Sequence, residues 1–245
     1  MKLSVRRSEL VFAAGFAGCI LGLALATCQD FEALFPKLLS GFGVTVLISL
    51  VSALLSIVLA LACGLARLSN ISFVRGAAII YAEFFRGMSL LVLLFWLFYV
   101  LPLFGIVLEP LTVGILGIAL SYGAYGSEIV RGAVLAVPRG QWEAGVALNI
   151  SPLNAIRRII LPQAVLIMLP SYGTLMIQLL KSTSLVSMIT ISDLTFEAYQ
   201  LDQVTGETIP IFTIVLAAYF ALSLNISILF RGLERWYALG IRTAT

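Results

Sequence analysis

Residues 38–66 read LLSGFGVTVLISLVSALLSIVLALACGLA, a run without a single charged side chain between Lys37 and Arg67. A helix that crosses a membrane needs about 20 mostly apolar residues, so this run predicts a transmembrane helix. Five further runs qualify on the same ground: residues 11–26, 88–108, 111–130, 164–180 and 209–230. The sequence therefore predicts an all-α integral membrane protein with six transmembrane helices. We expect the fifth helix to continue past Lys181, interrupted around Pro170 and Gly173.

Composition supports the membrane assignment and excludes several classes of function. The chain has 245 residues, of which 61% are hydrophobic and 11% charged, and its mean hydropathy is +1.09. Soluble domains carry about 25% charged residues. The formal charge of +3 is spread along the chain, which argues against a nucleic-acid partner. With no histidine and three cysteines in no metal-binding spacing, the sequence predicts neither a metal site nor a disulfide framework.

Basic residues predict the orientation, because cytoplasmic segments of membrane proteins hold Lys and Arg in excess. When the segments between the six helices are numbered alternately from the inside, the inside set holds 13 of the 15 basic residues. Lys37 is the exception on the outside, and Lys181 lies in or near a helix. The count predicts that both termini are cytoplasmic.

The first apolar run, residues 11–26, has two interpretations. It is either a retained additional helix, which with the N-terminal tail forms a segment over residues 1–37, or a signal peptide. The signal-peptide interpretation rests on a basic start followed by an apolar stretch and the small residues Ala24-Leu25-Ala26. Cleavage would leave five helices with the N-terminus outside.

The inside segment at about 131–162 is the most polar stretch of the chain. Residues 141–150 read as a short helix, with Pro138 and Gly140 ahead of it and Ser151-Pro152 stopping it. A short helix held at the cytoplasmic face between two spans can dock into a groove of a soluble partner. An amphipathic helix lying on the membrane is the equal alternative from the pattern alone.

The motif in this segment resembles the EAA loop of ABC-importer permeases, whose signature is E-A-A, three residues, G, nine residues and I-x-L-P. The spacing is intact, and five of the seven signature letters match: Glu143, Ala144, Ile159, Leu161 and Pro162. Gly145 and Asn149 depart from the signature, as the third small residue and the glycine respectively. Asn tolerates positive φ better than most residues, so a turn at Asn149 is expected.

Sequences on either side of the loop are similar to the polar amino acid subfamily of these permeases. The similar stretches are YGSEIVRG at 125–132, IILPQA at 159–164, KSTSL at 181–185 and EFFRG at 83–87. This chain departs from the subfamily at Met88-Ser89 and Thr174. The resemblance covers residues 38–236 and implies a type I importer fold. The resemblance also implies a permease domain over residues 38–245 with a five-helix core.

The resemblance implies a multi-pass permease subunit of the bacterial inner membrane, which forms half of a translocation pathway and performs no catalysis itself. A second permease subunit, identical or paralogous, would complete the pathway, and a periplasmic or extracellular binding protein would deliver the cargo. A separate ATPase subunit would bind ATP and Mg and dock on the loop, so no cofactor is expected in this chain. Its lack of a phosphate-binding loop agrees with that division, since none of its three lysines stands in the required motif. The expected cargo is a polar amino acid or a related zwitterion, such as the compatible solute ectoine.

Several residues receive roles on this basis. The ATPase-coupling set is Glu143, Ala144, Gly145, Asn149, Ile159, Leu161 and Pro162. Structural ion pairs are expected between Glu128 and Arg131 and between Glu83 and Arg86, because each pair is spaced i,i+3 on a helix.

Lys181 is the candidate substrate contact, because a lysine within a span must pair, snorkel or face a wet cavity. It follows Pro162 by roughly 28 Å of ideal helix, which predicts a position near the outer side. It either pairs with Asp193 or Glu197, snorkels to the headgroups, or lines the substrate pathway together with Ser182, Thr183 and Ser184.

Two other functions compete with the importer. A stand-alone ion-coupled secondary transporter would need carboxylates deep in the spans and an inverted repeat, and the sequence shows neither. A membrane enzyme such as an intramembrane protease is disfavoured by the missing histidine and by the lack of paired aspartates in the spans.

Overall fold

A computed structural model describes residues 31–242 together with Gly15, Gly18 and Gly22, and within these residues the regular structure is entirely helical. Apart from those three glycines, the predicted first span at 11–26 lies outside the described residues. The helices are α1 Phe31–Ala66, α2 Ser72–Gly87, α3 Leu90–Phe95, α4 Pro110–Leu135, α5 Arg139–Ala147, α6 Pro152–Ala155, α7 Leu161–Ser182, α8 Leu194–Thr205 and α9 Thr208–Arg242. Segments of π-helix (Trp96–Val100, Ile156–Ile160) and 3₁₀-helix (Leu101–Phe104, Thr183–Ile189) extend α3 and α7.

Four of the predicted spans are confirmed as helices long and apolar enough to cross a membrane. They are Phe35–Ala66, Pro110–Leu135, Ile156–Ile189 and Thr208–Ala238, which contain the predicted runs at 38–66, 111–130, 164–180 and 209–230. Each helix is longer than its apolar run, and the added residues include the charged Lys37, Arg131, Lys181 and Arg231.

The predicted span at 88–108 was wrong in its limits. The chain forms a bent pair, Ser72–Gly87 and Leu90–Phe104, whose axes meet at 101° and which together count as a fifth candidate span. Met88 and Ser89 are extended at the bend (ψ 154° and 131°), so the helical hydrogen-bond ladder is broken there. Helix α2 was not predicted, since its charged residues interrupt the apolar pattern.

The expected interruption at Pro170 and Gly173 was also wrong, because α7 is a continuous α-helix through both residues. Gly173 is needed for packing instead: a Cβ there would lie 3.1 Å from Cβ of Phe230 in α9. The change from α to 3₁₀ geometry comes later, at Thr183.

Helices α1 and α4 form the closest pair at the centre of the bundle. A Cβ on Gly64 would lie 2.7 Å from Cβ of Val130, and one on Gly126 would lie 2.7 Å from Cβ of Ala60. Small residues at such crossings let two helix backbones approach closely, which is how helices associate where lipid removes the hydrophobic driving force. This pair sets the position of the inner end of α4, where the site described next begins. We call "inner" the end of the bundle that carries Arg67, Arg86 and Arg131.

Candidate functional site

The loop helix α5 spans Arg139–Ala147, so it begins and ends earlier than the predicted 141–150. Asn149 has φ 52°, which confirms the turn expected there. The amide of Asn149 donates to Val146 O (2.9 Å) and that of Ile150 donates to Gly145 O (3.0 Å). These two bonds satisfy the last carbonyls in a Schellman arrangement and stop the helix without a glycine.

Two faces of α5 have different partners. Gly145 is buried, and a Cβ there would lie 3.5 Å from Cβ of Ala155, so this small residue packs against the protein's own loop. Glu143 and Ala144 are exposed. Val146 and Leu148 are exposed by 79% and 72%, and sequence reasoning missed them. Two exposed large apolar side chains in a polar loop that also exposes a carboxylate form a surface that favours a protein partner.

The second half of the predicted motif anchors the loop to α7. Ile159 is half-buried and reaches Gly145, while Leu161 and Pro162 begin α7. Gln163 Nε2 donates to Gln141 Oε1 across 3.3 Å, which ties α7 to α5. The motif residues therefore divide into Glu143 and Ala144 on the open face and Gly145, Asn149 and Ile159 in the support behind it.

A polar stripe runs along α7, formed by Ser171, Thr174, Gln178 and Lys181. All four are exposed, and their spacing of three and four residues places them on one helical face. The other faces of α7 carry the buried residues Met168, Tyr172, Leu175, Met176 and Leu179. Polar groups on a membrane span avoid lipid, so the stripe requires a wet cavity or a second protein surface.

The predicted cluster around Lys181 is only partly formed. Ser182 Oγ lies 2.6 Å from the hydroxyl of Tyr122, Thr183 is buried and donates to Leu180 O, and Ser184 donates to Lys181 O. These hydroxyls are satisfied locally and do not converge on the ammonium. The residue after Lys181, Ser182, thus contacts Tyr122, which lies halfway along α4.

One of the alternatives for Lys181, an ion pair with Asp193 or Glu197, was wrong: within residues 31–242 no carboxylate lies within salt-bridge distance of Lys181. Asp193 is fully buried at the start of α8, where it accepts from the amide of Phe196 (3.0 Å) and from the hydroxyl of Tyr219 (3.4 Å). Burial raises the pKa of Asp193 to about 6, despite these hydrogen bonds. The carboxyl group caps α8 and is not available to Lys181.

Five charged residues form what we call the arginine cluster: Arg67, Glu83, Arg86, Glu128 and Arg131. The structure contains both expected pairs, Glu128 with Arg131 and Glu83 with Arg86 (3.6 Å). Arg67 joins them from the end of α1, bonding to Glu128 and lying 3.9 Å from Glu83. Sequence reasoning missed Arg67, because its partners lie far along the chain. The side chain of Arg67 is only 9% exposed, so Glu128 compensates a buried charge.

Within the described part of the chain, no group of three His, Cys, Asp or Glu side chains is placed to hold a metal ion. What the described surfaces offer is an exposed loop helix at the inner end and a polar stripe along a span.

Comparisons with known proteins show which family has this sequence pattern. The family described as the binding-protein-dependent transport system inner membrane component matches residues 56–239. A probable amino-acid ABC transporter permease protein of Sinorhizobium fredii is 45% identical over 206 residues, covering 80% of this chain and 87% of that protein. The L-cystine transport system permease protein of Bacillus subtilis is 34% identical, covering 89% of this chain and 95% of its own length.

Among solved structures, an amino acid ABC transporter crystallised with histidines matches with a TM-score of 0.78 and 32% sequence identity. The match covers 85% of this chain and 99% of that one. The arrangement of helices described above is therefore that of a transporter's membrane subunit.

Proposed function

The chain belongs to the family of inner membrane components of binding-protein-dependent transport systems, and from this we propose that it is the permease subunit of an ATP-driven amino-acid importer. The observation that carries the proposal is the open surface of α5 and its C-cap, which exposes Glu143 and the large apolar side chains of Val146 and Leu148. A short helix that exposes apolar side chains together with charged ones, here Arg139 and Glu143, can dock in a groove on a soluble subunit.

If a soluble subunit docks on this surface of α5, the steps of transport are divided among several proteins. A separate ATPase subunit docks on α5 and carries the ATP and Mg, while this chain contributes no catalytic group. A binding protein delivers cargo to the outer end. The coupling residues are then Glu143 and Ala144 in direct contact, with Gly145, Asn149, Ile159, Leu161 and Pro162 holding α5 in place. The host membrane is the bacterial inner membrane.

The cargo is a polar amino acid, by analogy with the amino-acid and cystine permeases among the relatives. A zwitterionic solute such as ectoine belongs to the same chemical class. The polar stripe supports a pathway between this subunit and a second permease subunit, identical or paralogous, since the side chains of Ser171, Gln178 and Lys181 have no hydrogen-bond partner among the described residues and need one other than lipid. Lys181, unpaired by any described carboxylate, receives the carboxylate of the cargo in this proposal, and Ser182, Thr183 and Ser184 shape the helix behind it.

The docking proposal is tested by Glu143→Lys. Reversing a charge in a desolvated contact costs about 2–5 kcal/mol, which is enough to release the ATPase subunit. We expect normal membrane insertion together with loss of ATPase copurification and of amino-acid uptake.

Glu234→Lys in α9 is the matched control, because it reverses a carboxylate outside the loop and is expected to keep both properties. Normal uptake with retained ATPase in Glu143→Lys would refute the docking face.

A further inference from the structure

The inner end of α4 is joined to α5 by a short packed turn. Helix α4 ends at Leu135 and α5 begins at Arg139. Between them, the amide of Ala136 donates to Gly132 O (3.0 Å), and Val137 is buried in the core. A displacement of α5 is therefore carried into α4 and is not absorbed by a loose linker.

Glu128 lies two turns before this junction and contacts three arginines from three parts of the chain. Its Oε1 accepts from Arg131 of the same helix. Its Oε2 accepts from Arg67 at the end of α1 and lies 3.5 Å from Nη1 of Arg86 in α2. One carboxylate thus connects the inner ends of α1, α2 and α4.

On the basis of the proposed function, we infer that Glu128 is a positioning residue for transport, passing the movement of α5 from α4 to the inner end of α1. The α1–α4 contact is built on glycines and small side chains with a long hydrogen bond, from Ser52 Oγ to Ile115 O (3.4 Å), and such packed helices can shear by small sliding movements. Charge-assisted hydrogen bonds to a fixed carboxylate have a narrow geometry, so they hold the two helices in register. When the hydrogen bonds to Glu128 are removed, a displacement of α5 is expected to move α4 but not the inner end of α1.

Neutral contacts separate the roles of α1 and α2. The hydroxyl of Tyr81 donates to Leu120 O (2.8 Å), and that of Tyr125 donates to Arg86 O (3.2 Å). These two bonds keep α2 on α4 when Glu128 loses its charge. The inner end of α1 packs on α4 at Gly64, and Cys63 Sγ donates to Ala78 O of α2 (3.4 Å). Among the described residues its charged contact with α4 is the Arg67–Glu128 bond, which makes that bond the one to break.

The test uses the complete transporter, with its ATPase and binding protein, reconstituted in vesicles. Glu128→Gln removes the charge at nearly constant shape. We expect ATPase copurification to be retained, while stimulation of ATP hydrolysis by the cargo-loaded binding protein falls about 5-fold or more, as for the loss of a typical coupling energy. Cargo uptake is expected to fall with it.

A double variant separates transmission from stability. Glu128→Gln leaves the buried Arg67 with only Glu83 as a counter-charge, 3.9 Å away and 63% exposed, and adding Arg67→Gln removes that penalty. We expect the double variant to recover the thermal stability of the wild type but not its stimulated hydrolysis. Recovery of both would show that Glu128 is merely structural and would overturn the inference.

Glu83→Gln is the matched control in the same cluster. The Glu83 side chain is 63% exposed and its pairs are long, so its loss is expected to leave stimulation unchanged. Wild-type stimulation in Glu128→Gln refutes the inference alone. A wild-type complex whose hydrolysis does not respond to the binding protein would refute the proposed function instead.

Discussion

At the scale of single residues, Lys181 carries the most specific expectation. It is exposed on the polar stripe of α7, and no described carboxylate pairs with it. Hydrogen bonds to charged groups contribute about 1.5–3 kcal/mol, so Lys181→Gln should raise the apparent KM of uptake roughly 10-fold or more at unchanged protein level. Lys37→Gln, at an exposed lysine in α1, is the control and should leave KM unchanged. An unchanged KM and selectivity in Lys181→Gln would end the substrate-contact proposal.

Asp193 gives a pH dependence of stability at the same scale. Its pKa is raised from 3.8 to about 6, mainly by burial, so the folded state holds the proton more tightly than the unfolded chain. Protonated Asp193 therefore adds to the free energy of unfolding below pH 4, and this contribution is lost as the pH rises through about 6. The loss is about 3 kcal/mol. Asp193→Asn keeps a capping oxygen for Phe196 and should abolish this dependence of the thermal unfolding midpoint.

Asp202→Asn, in the same helix, is the control and should keep the wild-type pH dependence because Asp193 is still present. A wild-type protein whose unfolding midpoint is flat between pH 4 and 6 would contradict the account of Asp193.

At the scale of helices, the contact between α1 and α4 depends on Gly64. A Cβ at this position would lie 2.7 Å from Cβ of Val130 and 2.9 Å from Ser127 O, closer than packed atoms allow. Gly64→Ala should therefore cost about 1–3 kcal/mol of stability, measured as a lower unfolding midpoint in detergent. Gly43→Ala makes the same change in the same helix where nothing lies within 4 Å, and should cost nothing. Equal midpoints for the two variants would contradict the close crossing.

The helices also show what the sequence could predict. Long apolar runs predicted α1, α4, α7 and α9, because membrane helices are selected by length and hydropathy. The polar stripe of α7 was not predicted, although Ser171, Thr174, Gln178 and Lys181 recur at helical spacing in the sequence. The contacts of Arg67 were not, because Glu128 lies 61 residues away and only the α1–α4 crossing brings the two together. The burial of Gly145 was likewise not predictable, because it depends on how the loop folds back toward α7 and brings Ala155 and Ile159 against this residue.

At the scale of the whole molecule, the distribution of basic residues predicts which end of the bundle faces the cytoplasm. A reporter enzyme active only outside the cytoplasm should be active when fused after Pro36 and inactive when fused after Gly140. The prediction rests on the concentration of Lys and Arg in every second segment between the helices, because positively charged segments stay on the cytoplasmic side during membrane insertion. Activity at both fusions, or at Gly140 alone, would show that the assumed orientation is wrong.

The energy source of transport tests the central claim most directly. In energised vesicles that contain the complete transporter, uptake of a radiolabelled amino acid is measured with vanadate, which blocks the ATPase, and separately with an ionophore. Because the proposed subunit is moved by a docked ATPase through α5, vanadate should abolish uptake and the ionophore should leave it at the level of the untreated vesicles. Uptake that persists in vanadate and disappears with the ionophore would identify a secondary transporter and contradict the account.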